Sequence, residues 1–188
     1  MSELNSVRQS VDLVVGELTM AAAEVAYGEW RVFPEVILDS RAIFTVGNGR
    51  SGLALRMAAM RLMHLGRAVH VVGETTTPAI AEGDLLIAVS GSGTTNAVVY
   101  AAETALKKGA VVVAITANPS SVLAKIASHV LTIPAPEKTD RGGRISKQYA
   151  GTLFEQMTLV LLDAVFNDLR MLSDQPDDVL YTRHGNLG

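Results

Sequence analysis

AIFTVGNGRSG (residues 42–52) and LLIAVSGSGTTNA (residues 85–97) are the two stretches that decide the fold of this chain. In each, an apolar run typical of a buried strand ends in a loop of glycine and hydroxyl residues, and a helical pattern follows. Glycine lets the backbone approach an anion, and the N–H groups at a helix start carry partial positive charge. The loops therefore predict two halves of one phosphate site. Its candidate ligands are Gly49, Arg50, Ser51, Ser90, Ser92 and Thr95.

The alternation of strand and helix patterns continues on both sides of these stretches. The predicted strands are 42–46, 68–72, 84–89, 110–115 and 130–133, and the helices between them are about 51–65, 94–108 and 120–127. Such alternation predicts an α/β fold, a flavodoxin-like three-layer αβα sandwich with a five-stranded parallel sheet. In the strand order 2-1-3-4-5, ligands bind between the carboxyl ends of the first and third strands, where both glycine loops begin.

Two long amphipathic helices flank the predicted sheet. Apolar residues recur every three or four positions over about 3–28 and again over about 152–171. We expect one domain over residues 1–188, in which the N-terminal helix precedes the sheet and a tail to the chain end follows the last helix. A polar stretch, 137–148, predicts an exposed loop or lid. The apolar helix faces suit packing between subunits, so a homo-oligomer is expected.

Composition excludes several classes of function. The chain has a net charge of −3 and so lacks the basic field that draws nucleic acid. It has no cysteine, which excludes disulfides and thiolate metal sites. No apolar run approaches the roughly 18 residues of a transmembrane helix, and the first residues lack the apolar core of a signal peptide. We therefore expect a cytoplasmic protein without nucleic-acid or membrane partners.

The loop residues also have a purely structural interpretation. Ser51, Ser92 and Thr95 stand where serine and threonine cap helices, and glycine is common in turns. Capping does not require four hydroxyls at one crevice, so the phosphate site is the favoured interpretation. Arg50 lies at a helix start, where a cation opposes the helix dipole and needs a compensating anion. Its alternative is a solvated side chain.

The loops GNGRS and SGSGTT resemble the phosphate-binding loops of the sugar isomerase (SIS) fold. Other segments extend the resemblance to one SIS family, the 6-phospho-3-hexuloisomerases: RLMHLG (61–66), HVVGETTTPAI (70–80), AITANPSSVLAKIA (114–127), GTLFEQ (151–156) and RHGNLG (183–188). The resemblance covers most of the chain from about residue 42 onward. SIS loops commonly read SGET, whereas Thr94 here replaces the acidic residue, so no role for a carboxylate at that position is expected.

The resemblance implies a homotetrameric isomerase that interconverts D-arabino-3-hexulose 6-phosphate and fructose 6-phosphate. The reaction belongs to the ribulose monophosphate route of formaldehyde assimilation. Moving a ketone from carbon 3 to carbon 2 removes a proton from carbon 2 and returns one at carbon 3 through a 2,3-enediol. One base can do both while fixed donors stabilise the negative oxygen. Neither a redox cofactor nor a metal is required.

Glu155 is the candidate base, because it lies at the start of the last helix and matches the GTLFEQ pattern of SIS isomerases. Its alternative is a capping box, in which Thr152 caps the helix and Glu155 returns a hydrogen bond. His184 is the second candidate. An imidazole can pass protons between the substrate oxygens near neutral pH, and the resemblance brings this histidine into the active site of a neighbouring subunit. Its alternative is a tail histidine without a role.

Two rival functions fit part of the same pattern. Another SIS sugar-phosphate isomerase would convert an aldose and a ketose through a 1,2-enediol. A non-catalytic sugar-phosphate sensor would keep the loop hydroxyls but would not need Glu155 or His184. The positions of these two side chains relative to the phosphate crevice distinguish an enzyme from a sensor. The sequence leaves the roles of His64 and Glu74 open. A histidine at a helix end is more often a capping or packing residue than a catalytic one, and Glu74 could line the sugar pocket or shape the turn before Pro78.

Overall fold

A computed structural model describes residues 3–136 and 145–187, with side chains from residue 6 onward. Eight helices and five strands lie in these ranges. In chain order they are α1 (Glu3–Ala23), α2 (Tyr27–Trp30), α3 (Phe33–Asp39), β1 (Ile43–Gly47), α4 (Gly49–His64), β2 (Val69–Val71), β3 (Leu85–Val89), α5 (Asn96–Lys107), β4 (Val111–Thr116), α6 (Val122–Ile126), β5 (His129–Thr132), α7 (Thr152–Leu172) and α8 (Asp177–Tyr181).

The strands form one parallel sheet in the order β2-β1-β3-β4-β5. This is the predicted order, so the predicted α/β sandwich is confirmed. β1 and β3 are neighbours, and Gly47 at the end of β1 lies opposite Val89 at the end of β3. The two glycine loops therefore leave the sheet side by side at its carboxyl edge.

Alternate side chains of each central strand point into two separate cores. Ile43 and Ile87 pack with residues of α1, α4 and α7 on one face of the sheet. Phe44 and Leu86 pack with α5 and α6 on the other face. Because both faces of the sheet are covered, the sequences of the strands are continuous apolar runs and do not alternate between apolar and polar residues. The two helical layers place the first turns of α4, α5 and α7 around the carboxyl edge.

The sequence prediction was wrong about the extent of the first helix. α1 ends at Ala23 rather than near residue 28, and two short helices, α2 and α3, fill the approach to β1. Trp30 and Phe33 are buried there, with their rings edge to face at 6.2 Å between centroids. Helices of four and seven residues span too few turns to give a clear period in the sequence, and burial of these aromatic rings holds them in place.

An ion pair between the buried Asp84 and the largely exposed Arg41 links the start of β3 to the approach to β1. The Asp84 carboxylate accepts hydrogen bonds from Arg41 Nε at 3.0 Å, Arg41 Nη2 at 3.1 Å and the Ala81 N–H at 2.9 Å. Burial acts to raise the pKa of Asp84, but these hydrogen bonds and the charge of Arg41 outweigh it and lower the pKa. The carboxylate therefore stays ionised and joins the residue before β3 to Arg41, ahead of β1.

The segment before α7 is described only in part. Of the predicted loop or lid at 137–148, residues 137–144 lie outside the described residues. Residues 145–148 form neither helix nor strand, and α7 begins at Thr152 as predicted. Within the described residues, no helix combines the length and the apolarity that a bilayer crossing requires.

Candidate active site

The first loop connects β1 to α4 through two closely packed glycines. A Cβ on Gly52 would lie 2.3 Å from the carbonyl oxygen of Gly47, so only glycine allows the first turn of α4 to approach the end of β1 this closely. Gly49 adopts a φ of +59°, which turns the chain into the helix. Ser51 is buried within the first turn. The unpaired N–H groups of this turn face the carboxyl edge of the sheet.

The second loop, between β3 and α5, is held by its own hydroxyls. Ser90 Oγ and Thr95 Oγ1 lie 2.9 Å apart, and Ser90 Oγ accepts a hydrogen bond from the Gly93 N–H at 3.1 Å. Ser92 Oγ lies 2.9 Å from Thr94 Oγ1. Gly93 has a φ of +62°, and a Cβ there would lie 2.0 Å from Ser121 Oγ. The loop is therefore a fixed cradle of hydroxyl and N–H groups.

Helix capping does not account for these hydroxyls. Asn48 is the N-cap of α4, while Ser51 lies inside the helix. Thr95 is the N-cap of α5, but its side chain makes no capping hydrogen bond and contacts Ser90 instead. The helix-capping interpretation of Ser51 and Thr95 is thus wrong, and Ser92 bonds within its own loop.

Glu155, in the first turn of α7, lies beside Arg50 of the first loop. Arg50 Nε donates a hydrogen bond to Glu155 Oε2 at 2.6 Å, across 105 positions of sequence. The Glu155 side chain is 8% exposed and that of Arg50 is 64% exposed. The neighbouring Phe154 ring packs against Gly91 of the second loop, where a Cβ would approach the ring to 3.2 Å. The start of α7 therefore contacts both loops, and Arg50 is not simply solvated.

The capping-box interpretation of Glu155 is wrong. Gly151 is the N-cap of α7, and no side chain caps it. Thr152 Oγ1 donates to the carbonyl of Tyr149 at 2.6 Å, so it is turned away from the helix N–H groups. Arg50 occupies one carboxylate oxygen of Glu155, and the described residues supply no hydrogen bond to the other. That second oxygen retains lone pairs that can accept a proton.

His184 lies at the opposite end of α4 from this crevice. Its ring stacks on His64, the last residue of α4, with centroids 4.0 Å apart. Ser51 and His64 are thirteen residues apart on one helix, which is about 20 Å. Arg183 donates to the carbonyl of His64 at 2.8 Å and so ties the tail to the helix end. Within this chain, the structure thus brings Glu155, but not His184, to the two glycine loops.

His64 is a site candidate whose role the sequence left open. It is buried, and within the described residues its Nδ1 has no hydrogen-bond partner. Burial, followed by the charges of His184 and Arg61, lowers the pKa of His64, so the ring is neutral at pH 7. The two rings border a cavity of about 320 Å³ between α4, α7 and α8. A histidine at a helix end is common, so the sequence carried no signal for this pair.

Two further residues that the sequence singled out, Glu74 and Thr94, contact neighbouring protein side chains. Glu74, after β2, pairs with Arg56 of α4 at 2.5 Å on the surface. Thr94 is exposed and bonds only within its loop. Residues 3–136 and 145–187 contain no group of three or more histidine, aspartate or glutamate side chains arranged to hold a metal ion. The chemistry open to this site is anion binding by the loops together with proton transfer by a carboxylate.

Comparison with known proteins agrees with the loops and the sheet order. The model of the SIS domain matches residues 36–166, which include both loops and most of α7. The 3-hexulose-6-phosphate isomerase of Mycobacterium gastri is 50% identical over 183 residues, covering 97% of this chain and 92% of that protein. The enzyme of the same name from Bacillus subtilis is 39% identical over 175 residues, covering 93% and 95%.

A solved structure shows the same fold over nearly the whole chain. A crystal structure of a Methanococcus jannaschii protein, with an inferred function of 3-hexulose-6-phosphate isomerase, superposes with a TM-score of 0.80 at 29% identity. The match covers 96% of this chain and 99% of that one. These relatives confirm the resemblance carried by the sequence motifs, because 6-phospho-3-hexuloisomerase is another name for the same activity. The chain belongs to the SIS-domain family, in the branch that contains the 3-hexulose-6-phosphate isomerases.

Proposed function

We propose that this protein interconverts D-arabino-3-hexulose 6-phosphate and fructose 6-phosphate in the ribulose monophosphate route of formaldehyde fixation. The observation that carries the proposal is the contact between Glu155 and Arg50 at 2.6 Å, beside two loops suited to a phosphate group. A sensor needs only the loops, whereas a buried carboxylate with an open oxygen serves proton transfer. The names of relatives up to 50% identical over nearly the full length support this substrate pair.

The two loops would bind the substrate phosphate from both sides. The N–H groups of Gly49, Arg50 and Ser51 are at the start of a helix of 16 residues, where the dipole favours an anion. The hydroxyls of Ser90, Ser92 and Thr95 lie in the second loop, which follows the neighbouring strand β3. These backbone and hydroxyl groups are neutral donors that can surround a phosphate group. Phosphate binding at the sheet edge would then hold the sugar chain along the start of α7.

Ser51→Ala tests the phosphate loops. A hydrogen bond to a charged group contributes about 1.5–3 kcal/mol, so affinity for fructose 6-phosphate should fall by roughly tenfold to a hundredfold. The measurement is isothermal titration calorimetry with fructose 6-phosphate and with inorganic phosphate. Thr104→Ala is the matched control, since that hydroxyl bonds only to the carbonyl of Tyr100 on α5. Unchanged affinity in Ser51→Ala would place the phosphate elsewhere.

The proton transfer follows from one carboxylate acting on one face of the substrate. Glu155 removes the proton from carbon 2 of the 3-ketose, and the electrons of that C–H bond form the C2=C3 double bond while the carbonyl oxygen on carbon 3 takes a proton. The same carboxylic acid then protonates carbon 3, and the hydroxyl on carbon 2 loses its proton to become the new carbonyl. The Arg50 guanidinium holds the carboxylate in place and supplies positive charge beside the developing enediolate.

The general acid for the oxygens would come from a second subunit. His184 lies about 20 Å from the phosphate loops along α4, which is too far to act within its own subunit. His184 is exposed and would enter the site of a neighbouring subunit, while His64, its buried stacking partner, would support the ring from behind. The protein would then be a homo-oligomer, which the family resemblance favours as a tetramer. Because phosphorylated sugars do not cross membranes unaided, we place it in the cytoplasm.

Exposed apolar side chains on two helices support this assembly. On α1, Val7, Val11 and Val15 are 65%, 51% and 55% exposed, and their spacing of four places them along one side. On α4, Leu53 and Met57 are 60% and 45% exposed. An apolar stripe on each of two helices is typical of a surface that another subunit covers.

Carbon-13 NMR with fructose 6-phosphate labelled at carbon 2 tests the activity itself. An isomerase that moves the carbonyl to carbon 3 shifts the label from a ketose signal to a hydroxymethine signal. An aldose–ketose isomerase also turns carbon 2 into a hydroxymethine, but it adds an aldose signal at unlabelled carbon 1 that proton NMR detects. A sensor binds the sugar, as calorimetry would show, without changing either spectrum. The last two results would each reject the proposed function.

A further inference from the structure

Glu17 of α1 contacts the segment that leads into α7, although the two are about 130 residues apart in sequence. The Glu17 carboxylate accepts hydrogen bonds from Ser146 Oγ at 2.6 Å, from the Lys147 N–H at 2.7 Å and from Gln148 Nε2 at 3.0 Å. Glu17 is only 5% exposed. Three donors from three successive residues therefore converge on one buried carboxylate.

A buried carboxylate is not a packing residue. An alanine or leucine would fill this place on α1 without the cost of desolvating a charge. Burial acts to raise the pKa of Glu17, but the hydrogen bonds from Ser146, Lys147 and Gln148 and the charge of Lys147 outweigh it and lower the pKa. Glu17 is therefore ionised at neutral pH and accepts all three hydrogen bonds at once.

The contacted segment, residues 145–151, is linked by successive hydrogen bonds to the first turn of α7. The carbonyl of Tyr149 accepts hydrogen bonds from both the N–H and the hydroxyl of Thr152, and the carbonyl of Gly151 accepts the N–H of Glu155. Between them, Ala150 has a φ of +50°, a conformation that non-glycine residues rarely adopt unless neighbouring contacts hold it. The Tyr149 side chain is 90% exposed and anchors nothing. Glu17 holds the start of this segment through its hydrogen bonds to residues 146–148.

We propose that Glu17 is a positioning residue for the Arg50–Glu155 pair. By holding residues 145–151, it sets the path of the chain into α7 and so the place of Glu155 beside the phosphate loops. The inference rests on the proposed function, which assigns the proton transfer to Glu155. The body of α7 is held independently, because Leu153, Met157 and Leu161 are buried in the core.

Glu17→Gln separates this role from a contribution to stability. The glutamine side chain has an NH₂ group in place of one carboxylate oxygen, so it faces the donors of residues 146–148 with a donor of its own. Residues 145–151 then lose their fixed path, while α7 stays packed in the core. We expect kcat per folded molecule to fall about tenfold and KM for fructose 6-phosphate to change less than threefold, because the phosphate loops are not touched. Val25→Ala is the control for stability: Val25 is buried in the same core, so this variant should lower the melting temperature and leave kcat unchanged. Glu24→Gln, an exposed change on the adjoining turn, should alter neither.

A double variant tests whether Glu17 acts through Glu155. In a Glu155→Gln background, Glu17→Gln should cause no further loss of kcat, because the group being positioned is already gone. If the unaltered protein shows no turnover, the proposed function fails. If Glu155→Gln alone leaves turnover intact, Glu155 is not the base, and the role of Glu17 fails with it. If Glu155→Gln removes turnover but Glu17→Gln keeps the wild-type kcat, only the role of Glu17 is overturned. Should Glu17→Gln fail to fold, Ser146→Ala removes one donor from the other side. It should lower kcat about threefold, and an unchanged kcat would overturn the inference.

Discussion

Glu155→Gln should lower kcat by about a hundredfold to ten-thousandfold, the range that general acid–base catalysis contributes. Glutamine has nearly the same shape as glutamate, and it can still accept the Arg50 hydrogen bond now seen at 2.6 Å. It cannot take up a proton from carbon at neutral pH. Turnover is measured by following formation of the 3-ketose from fructose 6-phosphate by NMR.

Binding must survive in this variant for the result to bear on catalysis. Affinity for fructose 6-phosphate, measured by calorimetry, should stay within about threefold of the wild-type value, since the phosphate loops are unchanged. Glu103→Gln, an exposed change on α5, is the control and should keep full turnover. Wild-type kcat in Glu155→Gln would show that another group is the base.

Two variants that are inactive alone should restore activity when their subunits mix. His184→Ala removes the proposed general acid and should lower kcat about a hundredfold. If each site takes Glu155 from one subunit and His184 from another, a mixed dimer with Glu155→Gln contains one intact site and one doubly altered site. Random pairing of equal amounts then returns about a quarter of the wild-type activity, and purified mixed dimers return about half.

Co-expression of the two variants with different affinity tags provides the measurement, because doubly tagged assemblies can be purified and assayed. A mixture that stays as inactive as its components would mean that the two groups do not form a shared site. His129→Ala serves as the control partner. His129 lies on β5, at the side of the sheet farthest from β1, so mixing it with Glu155→Gln should return only the activity of the His129→Ala subunits.

The sheet and the positions of the two glycine loops were predictable because each depends on local sequence. A buried parallel strand is a short apolar run, and a loop for a phosphate group needs glycine and hydroxyls directly after it. Strand order 2-1-3-4-5 then brought Gly47 and Val89 opposite each other, as expected. Helices α2, α3 and α8 were not predicted, since four to seven residues show little periodicity and these helices, unlike the equally short α6, do not lie between two predicted strands.

The contacts that join distant segments could not be predicted from one sequence. Arg50 and Glu155 were both candidates, but nothing local indicates that they pair. Glu17 looked like one more polar position on an amphipathic helix, and only the fold shows its three donors at 146–148. The stacking of His64 on His184 likewise depends on the turn at α8 that returns the tail to the end of α4.

The position at which deuterium enters fructose 6-phosphate tests the central claim most directly. The protein is incubated with the sugar in deuterium oxide, and the recovered fructose 6-phosphate is examined by proton NMR. A 2,3-enediol returned to the 2-ketose by an exchanging base carries deuterium at carbon 3, and this label together with a new 3-ketose is the result we expect. Deuterium at carbon 1 would instead show a 1,2-enediol and contradict the proposed reaction.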